Sequence, residues 1–197
     1  MANIYDTAIL KAANTSRNGV RIKNPEAYKN LIYACINKYA DKYHIQSGVI
    51  KKMVLQESGF WYKIAGSSVK NVHVNIQNRH GLAPTYREYG LLQVYPHYAA
   101  EDGFSAKKII AYDIDENLHA GVFHIRDSFN RILKVLAKKG IKNWFFTFTF
   151  GIASYNAGVT GVTKALERGN YKYQSSFAEL PAVTRRYLTN IHSWEIG

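Results

Sequence analysis

The chain has one cysteine, Cys35, so no intrachain disulfide is possible and packing alone must hold the fold. Cys35 lies in Tyr33-Ala34-Cys35-Ile36 and reads as a small buried residue in a fold that a reducing cytosol can make. Acidic residues are scarce: 14 Asp and Glu stand against 26 Lys and Arg, for a net charge of +12. That excess implies attraction to polyanions, of which nucleic acid and the anionic bacterial envelope are the two common kinds. The basic residues are scattered, with no run of five or more, which excludes a nucleic-acid-binding tail. No apolar run is long. The most apolar stretch, Trp144 to Ala157, is too short to cross a bilayer. Met1-Ala2-Asn3-Ile4-Tyr5-Asp6 lacks the basic and apolar regions of a secretory signal. There is no repeat, low-complexity tract or linker, so one domain over residues 1–197 is expected, with 1–25 as an N-terminal extension. No His-Glu-x-x-His occurs, and His119 and His124, five apart, do not share a helical face well. No metal and no cofactor is expected.

What remains is a globular composition. The 197 residues are 47% hydrophobic, enough for one real core, and 14% aromatic with 15 Tyr, a residue suited both to core edges and to the walls of a polar cleft. Asn24-Pro25-Glu26 is a helix start, with Asn as cap, Pro at the first position and an acid in the first turn, and the helix should run to about Tyr43. A second helix begins near Ser47. Residues 61–89 read as a short hairpin or an irregular lobe. Asp113-Ile114-Asp115-Glu116 resembles a capping box before Leu118, Val122, Ile125, Phe129, Ile132 and Leu136, the strongest helical period in the chain. Trp144 to Tyr155 fits either an alternating strand or a buried helix. Val162 to Arg168 is a short helix, and Pro181 opens the last one. The fold class is mainly α, helical with one small irregular or β-containing lobe.

The residue with the most chemistry in its surroundings is Glu57, in Val54-Leu55-Gln56-Glu57-Ser58-Gly59-Phe60. Ile50, Met53, Val54 and Glu57 share one helical face that is otherwise apolar, and Gly59 is a natural terminator just beyond. Apolar neighbours and the negative end of the helix dipole both disfavour the charged form, so the expected pKa rises toward that of a general acid. A boundary glutamate with its head in water has the same sequence, and the rest of the chain must decide.

Three further segments bear on it: Gly90-Leu91-Leu92-Gln93, Ala153-Ser154-Tyr155-Asn156-Ala157-Gly158 and Thr184-Arg185-Arg186-Tyr187. With Glu57-Ser58-Gly59-Phe60, in that order, they resemble the soluble lytic transglycosylase domain of the lysozyme-like superfamily, over roughly residues 26–192. That family shows Glu-Ser-x-Phe, Gly-Leu-Met-Gln, Ala-x-Tyr-Asn-Ala-Gly and Thr-Arg-x-Tyr; four weak motifs in the right order are specific. The resemblance implies cleavage of the β-1,4 bond between N-acetylmuramic acid and N-acetylglucosamine in peptidoglycan, with Glu57 as single acid/base and a 1,6-anhydro product. It implies Gln93, Tyr155, Asn156, Tyr187, Ser58 and Leu92 as substrate-binding residues, Leu92 replacing the family's usual Met. Glu88 is the only other acid between Glu57 and Gln93, and as a second carboxylate it would permit a lysozyme-type hydrolase instead.

Two departures stand out. The spacing between Phe60 and Gly90 is longer than in the family, so about residues 68–84 read as an insertion, and Val183 takes the place of an acid common before Thr-Arg. The expected partners are peptidoglycan strands and the anionic envelope, not nucleic acid. An inactive wall-binding module and a basic nucleic-acid-binding domain are the competing classes; the first does not explain retention of Glu57 and the second explains none of the motifs. Without a signal sequence, a phage product is expected, made in the host cytoplasm and acting on the wall as an endolysin or beside other virion proteins.

Overall fold

Asn24 and Pro25 act as their sequence implies. The Asn24 side chain accepts a hydrogen bond from the Ala27 N–H and Pro25 fills the first helical position of a helix that ends at Tyr43. The computed structural model describes residues 3–15, 22–63, 69–70 and 85–193. In chain order its elements are α1 (Ile4–Asn14), α2 (Pro25–Tyr43), α3 (Ser47–Ser58), β1 (Val69–Lys70), β2 (Thr85–Tyr86), α4 (Pro96–Glu101), α5 (Ala106–Ile110), α6 (Ile114–Ala137), α7 (Trp144–Ala157), α8 (Val159–Arg168), α9 (Tyr173–Ala178) and α10 (Ala182–Ser193). The architecture is mainly α, as expected. Among the described residues the only strands are β1 and β2, paired antiparallel with Val69 opposite Tyr86 and Lys70 opposite Thr85. β1 lies inside the expected insertion, about residues 68–84, and β2 directly follows it; residue 68 and residues 71–84 of that stretch lie outside the described residues. Backbone contacts group the chain into two compact units, Met1–Val122 and Phe123–Gly197, with the boundary inside α6.

In the first unit α1, α2 and α3 pack on one another around Ile9, Ile32, Ile36, Ile50 and Met53, all fully buried. Helix α1 has no strong apolar period. Its local support is a cap, Asn3 accepting from the Tyr5 N–H at 3.0 Å, and its burial of Ile9, Ala12 and Ala13 keeps it in place. The expected capping box at α6 is half formed. Asp113 Oδ1 accepts from the Glu116 N–H at 2.8 Å, but the Glu116 carboxylate turns to the Ser105 N–H at 2.6 Å, so it tethers the start of α6 to the cap of α5. Cys35 is buried; its thiol points at Asp115 Oδ1, and burial, then Asp115, push its pKa up to about 11, so it stays an unreactive thiol.

In the second unit α7 is the central helix, with α8 and α10 packed on it. Phe146, Phe148, Phe150, Ile152 and Ala153 are all buried. A helix buried along most of its middle has no amphipathic stripe there, which is why its alternating phenylalanines fit a strand equally well. Phe129 of α6 meets Phe148 at 5.6 Å between ring centroids, and Phe150 meets Tyr173 of α9 edge-on at 5.9 Å.

Candidate active site

Glu57 occupies the last turn of α3. Ile50, Met53 and Val54 on its face are fully buried, and Glu57 is half-buried. The chain then reverses abruptly. Gly59 takes φ +59 and its N–H bonds to the Leu55 carbonyl at 3.0 Å; Phe60 takes φ +65, and the Trp61 N–H returns to the Ser58 carbonyl at 3.1 Å. A left-handed conformation suits glycine but is uncommon for phenylalanine, so Phe60 must be held there by its surroundings. Its ring is fully buried and meets Tyr5 of α1 edge-on, and its carbonyl accepts the hydroxyl of Tyr28 in α2. Ser58 is buried, with its hydroxyl donating to the Val54 carbonyl at 3.0 Å. Tyr5 and Tyr28 thus fix the turn beside Glu57, yet neither belongs to a motif. The only sequence signal for them is an aromatic at a position otherwise open to any apolar residue.

The Gly90–Gln93 motif is a tight turn closed by paired hydrogen bonds between Tyr89 and Val94, at 3.0 and 2.9 Å. Gly90 has φ +76, and a Cβ there would lie 2.6 Å from the Asn117 amide nitrogen. Asn117 of α6, 1% exposed, is the clasp. Its Nδ2 donates to the Tyr89 carbonyl at 2.6 Å and its Oδ1 accepts from the Leu92 N–H at 3.0 Å. One amide side chain thereby satisfies a donor and an acceptor on either side of the turn. Leu92 is fully buried, its side chain against Gly121, so it anchors the turn from within and presents no surface to solvent. Gln93 is half-buried at φ +48, with its Nε2 donating to the Gly90 carbonyl at 2.7 Å. Asn117 was not singled out in the sequence; it reads there as one more residue after a helix start.

Glu88 sits two residues before this turn, half-buried. Loss of hydration raises its pKa, and a hydrogen bond with the Tyr95 side chain partly offsets the rise. His119 is committed elsewhere: its ring stacks on Tyr39 at 4.4 Å and its Nε2 lies 2.9 Å from Lys42 Nζ. Among the described residues no group of three or more His, Cys, Asp or Glu is gathered as a metal site would need.

The remaining motifs lie in the second unit, where the structure brings them together. Thr184, 1% exposed at the start of α10, donates its hydroxyl to Asn156 Oδ1 at the end of α7, at 2.8 Å. Arg185 donates from Nη1 to the carbonyls of Ala178 and Leu180, at 2.7 and 2.6 Å, fixing the link from α9. Tyr155 is half-buried, and Tyr187 is buried at 5% exposure. The sequence motif pointed to Tyr187; Thr184 is the residue seen to join the two motif segments, and Arg185 fixes the link from α9.

Comparison with known families supports the family that the sequence resembles. Residues 34–177 match the transglycosylase SLT domain, and the chain belongs to that family. The family assignment carries with it, in general terms, lytic-transglycosylase-type cleavage of peptidoglycan. No curated protein matches the chain. Among the described residues no helix is long and apolar enough to cross a membrane.

Proposed function

We propose that the protein cleaves the β-1,4 bond between N-acetylmuramic acid and N-acetylglucosamine by intramolecular transglycosylation, with Glu57 as both acid and base. The observation that carries this reading is Glu57 itself: a half-buried carboxylate on the last turn of α3, inside the family match, followed at once by a braced chain reversal. The role requires Glu57 in its protonated form, which is the form that can give a proton to the leaving glycosidic oxygen. The muramic C6 hydroxyl, tethered to the reacting ring, then attacks C1 and loses its proton to the ionised Glu57. The bond to the leaving sugar breaks, a 1,6-anhydro ring forms, and no water is consumed. Gln93 is assigned to an acetamido or hydroxyl group of the glycan, with Ser58 and Leu92 supporting the two turns from inside. Tyr155, Asn156 and Tyr187 are assigned to glycan binding as well.

A hydrolytic reading has one observation in its favour, the half-buried Glu88. Its raised pKa suits a general acid, which must hold a proton, better than a base or a nucleophile, which must be ionised. Digestion of purified peptidoglycan in heavy-oxygen water separates the two. Transglycosylation yields unlabelled 1,6-anhydro termini. Labelled reducing ends as the main product would make the enzyme a muramidase.

A further inference from the structure

The turn between α6 and α7 projects a surface that the proposed reaction does not use. Phe129 and Phe148 face each other across this helical hairpin. Four residues closer to the turn on each helix, one helical turn away, stand Leu133 and Trp144. Trp144 is 68% exposed, Leu133 49% and Phe145 47%, whereas the other aromatics among the described residues are mostly covered. The Trp144 ring is not loose: it stacks on Phe148 at 4.9 Å and 22°. The turn is also fixed, by Gly140 at φ +72, by the Ile141 N–H bonded to the Leu136 carbonyl at 3.1 Å, and by the Asn143 cap on the Phe146 N–H at 2.9 Å.

Along the same stretch of chain lie Lys134, Lys138, Lys139 and Lys142, all exposed, Lys139 with its ammonium over the Tyr171 ring at 4.9 Å. Between Asp127 and Glu167 the sequence contains no acidic residue. Asp127 is engaged by Arg131 at 2.6 Å, so the acid nearest the tip on α6 already has a partner. The tip is therefore a rigid ledge of Trp, Phe and Leu within a ring of lysines.

We infer that this tip docks on an anionic phospholipid bilayer, with Trp144 and Phe145 entering the headgroup layer and the lysines meeting lipid phosphates. The mixed chemistry selects this partner. An anionic polymer such as nucleic acid or teichoic acid would satisfy the lysines and leave Trp144, Phe145 and Leu133 in water. A second copy docked face to face would bury the apolar ledge and set lysines against lysines. A bilayer interface offers both a negative surface and an amphipathic layer that suits Trp. The inference is independent of the reaction type.

Vesicle co-sedimentation of the full chain tests it, using phosphatidylcholine vesicles with and without phosphatidylglycerol. The wild type is expected to bind the anionic vesicles and be quenched by brominated lipid. Lys138→Gln with Lys139→Gln and Lys142→Gln should weaken binding by roughly 100-fold. Trp144→Ala should abolish most quenching and weaken binding several-fold, and both variants should keep the wild-type circular dichroism and soluble-glycan cleavage, because every changed side chain is exposed. Binding that ignores these substitutions, or that is equal on neutral vesicles, would overturn the inference. Loss with the lysine variant alone, Trp144→Ala binding as before, would make the tip a polyanion site and overturn it too. So would a dimer in the wild type that Trp144→Ala dissolves.

Discussion

The first unit holds its candidate chemistry with backbone conformations, the second with packed rings. Around Glu57 and Gln93 the chain enters the left-handed region at Gly59, Phe60, Gly90 and Gln93, and side chains from distant helices clasp the resulting turns. Each non-glycine residue in that conformation costs about 1–2 kcal/mol, so the clasping bonds must offset it. Around Tyr155 there is little such strain. The phenylalanine-rich middle of α7 is buried, and a Thr184–Asn156 bond joins the two motif segments. Geometry in the first unit should fail when one hydrogen bond is removed. In the second it should degrade gradually with lost volume.

The largest effect is expected at the carboxylate. Glu57→Gln keeps shape and removes the proton donor, so wall clearing should fall by ~10²–10⁴ with unchanged thermal unfolding. Near wild-type clearing by the purified variant would refute the assignment of chemistry to the first unit. Phe150→Ala, in the fully buried core of α7, should cost about 3–5 kcal/mol in chemical denaturation. Below its melting point it should still cleave glycan at close to the normal rate. Asn117→Ala should cost less stability, about 1–3 kcal/mol for the two hydrogen bonds lost at the turn, since the Tyr89 carbonyl keeps the Val94 N–H, but proportionately more activity. If the two variants lose stability and activity in the same ratio, the contrast between the units is wrong.

Two smaller effects sharpen the electrostatic side of the first unit. The Glu88 pKa is raised in the folded protein, so the folded state binds its proton more readily than the unfolded one. At neutral pH this carboxylate opposes folding. Glu88→Gln should raise the melting temperature slightly at pH 7, and the gain should shrink as the pH falls through the carboxylate range. Its activity should survive under transglycosylation and collapse if Glu88 is a second catalytic carboxylate. His119 has the opposite linkage. Its folded pKa is lowered, first by burial and then by Lys42, so the unfolded chain takes up the proton first as the pH falls through about 6.5. Stability should drop over that window, and His119→Phe, which keeps a ring on Tyr39, should flatten the drop when the two melting curves are compared from pH 7.5 to 5.5.

What the sequence made legible follows the same division. Local signals worked: the Asn24-Pro25 start of α2, the stop of α3 at Gly59 and the long period of α6 appear as expected, because caps and amphipathic stripes are decided within a few residues. Helix α1 was unreadable, since its place depends on burying Ile9 and two alanines rather than on any stripe. Helices α4, α5 and α9 are five or six residues long, too short to show a period. At the site the motifs named residues but not their supports. Asn117 lies 24 positions after Gln93, and Tyr28 is 32 positions from Phe60, distances at which no local pattern speaks.

The brace on the Phe60 turn bears on where the functional body can be cut. The family match begins at residue 34, but the hydroxyl that holds the Phe60 carbonyl comes from Tyr28 and the ring against Phe60 from Tyr5. It ends at residue 177, short of Thr184, which secures Asn156. A gene fragment trimmed to the family limits would encode every motif up to Asn156 but lack Tyr5 and Tyr28, which brace the turn beside Glu57, and Thr184, which secures Asn156. Homology therefore outlines a smaller object than the one that has to be expressed, crystallised or engineered, and shuffled chimaeras should be joined before residue 3 and after α10.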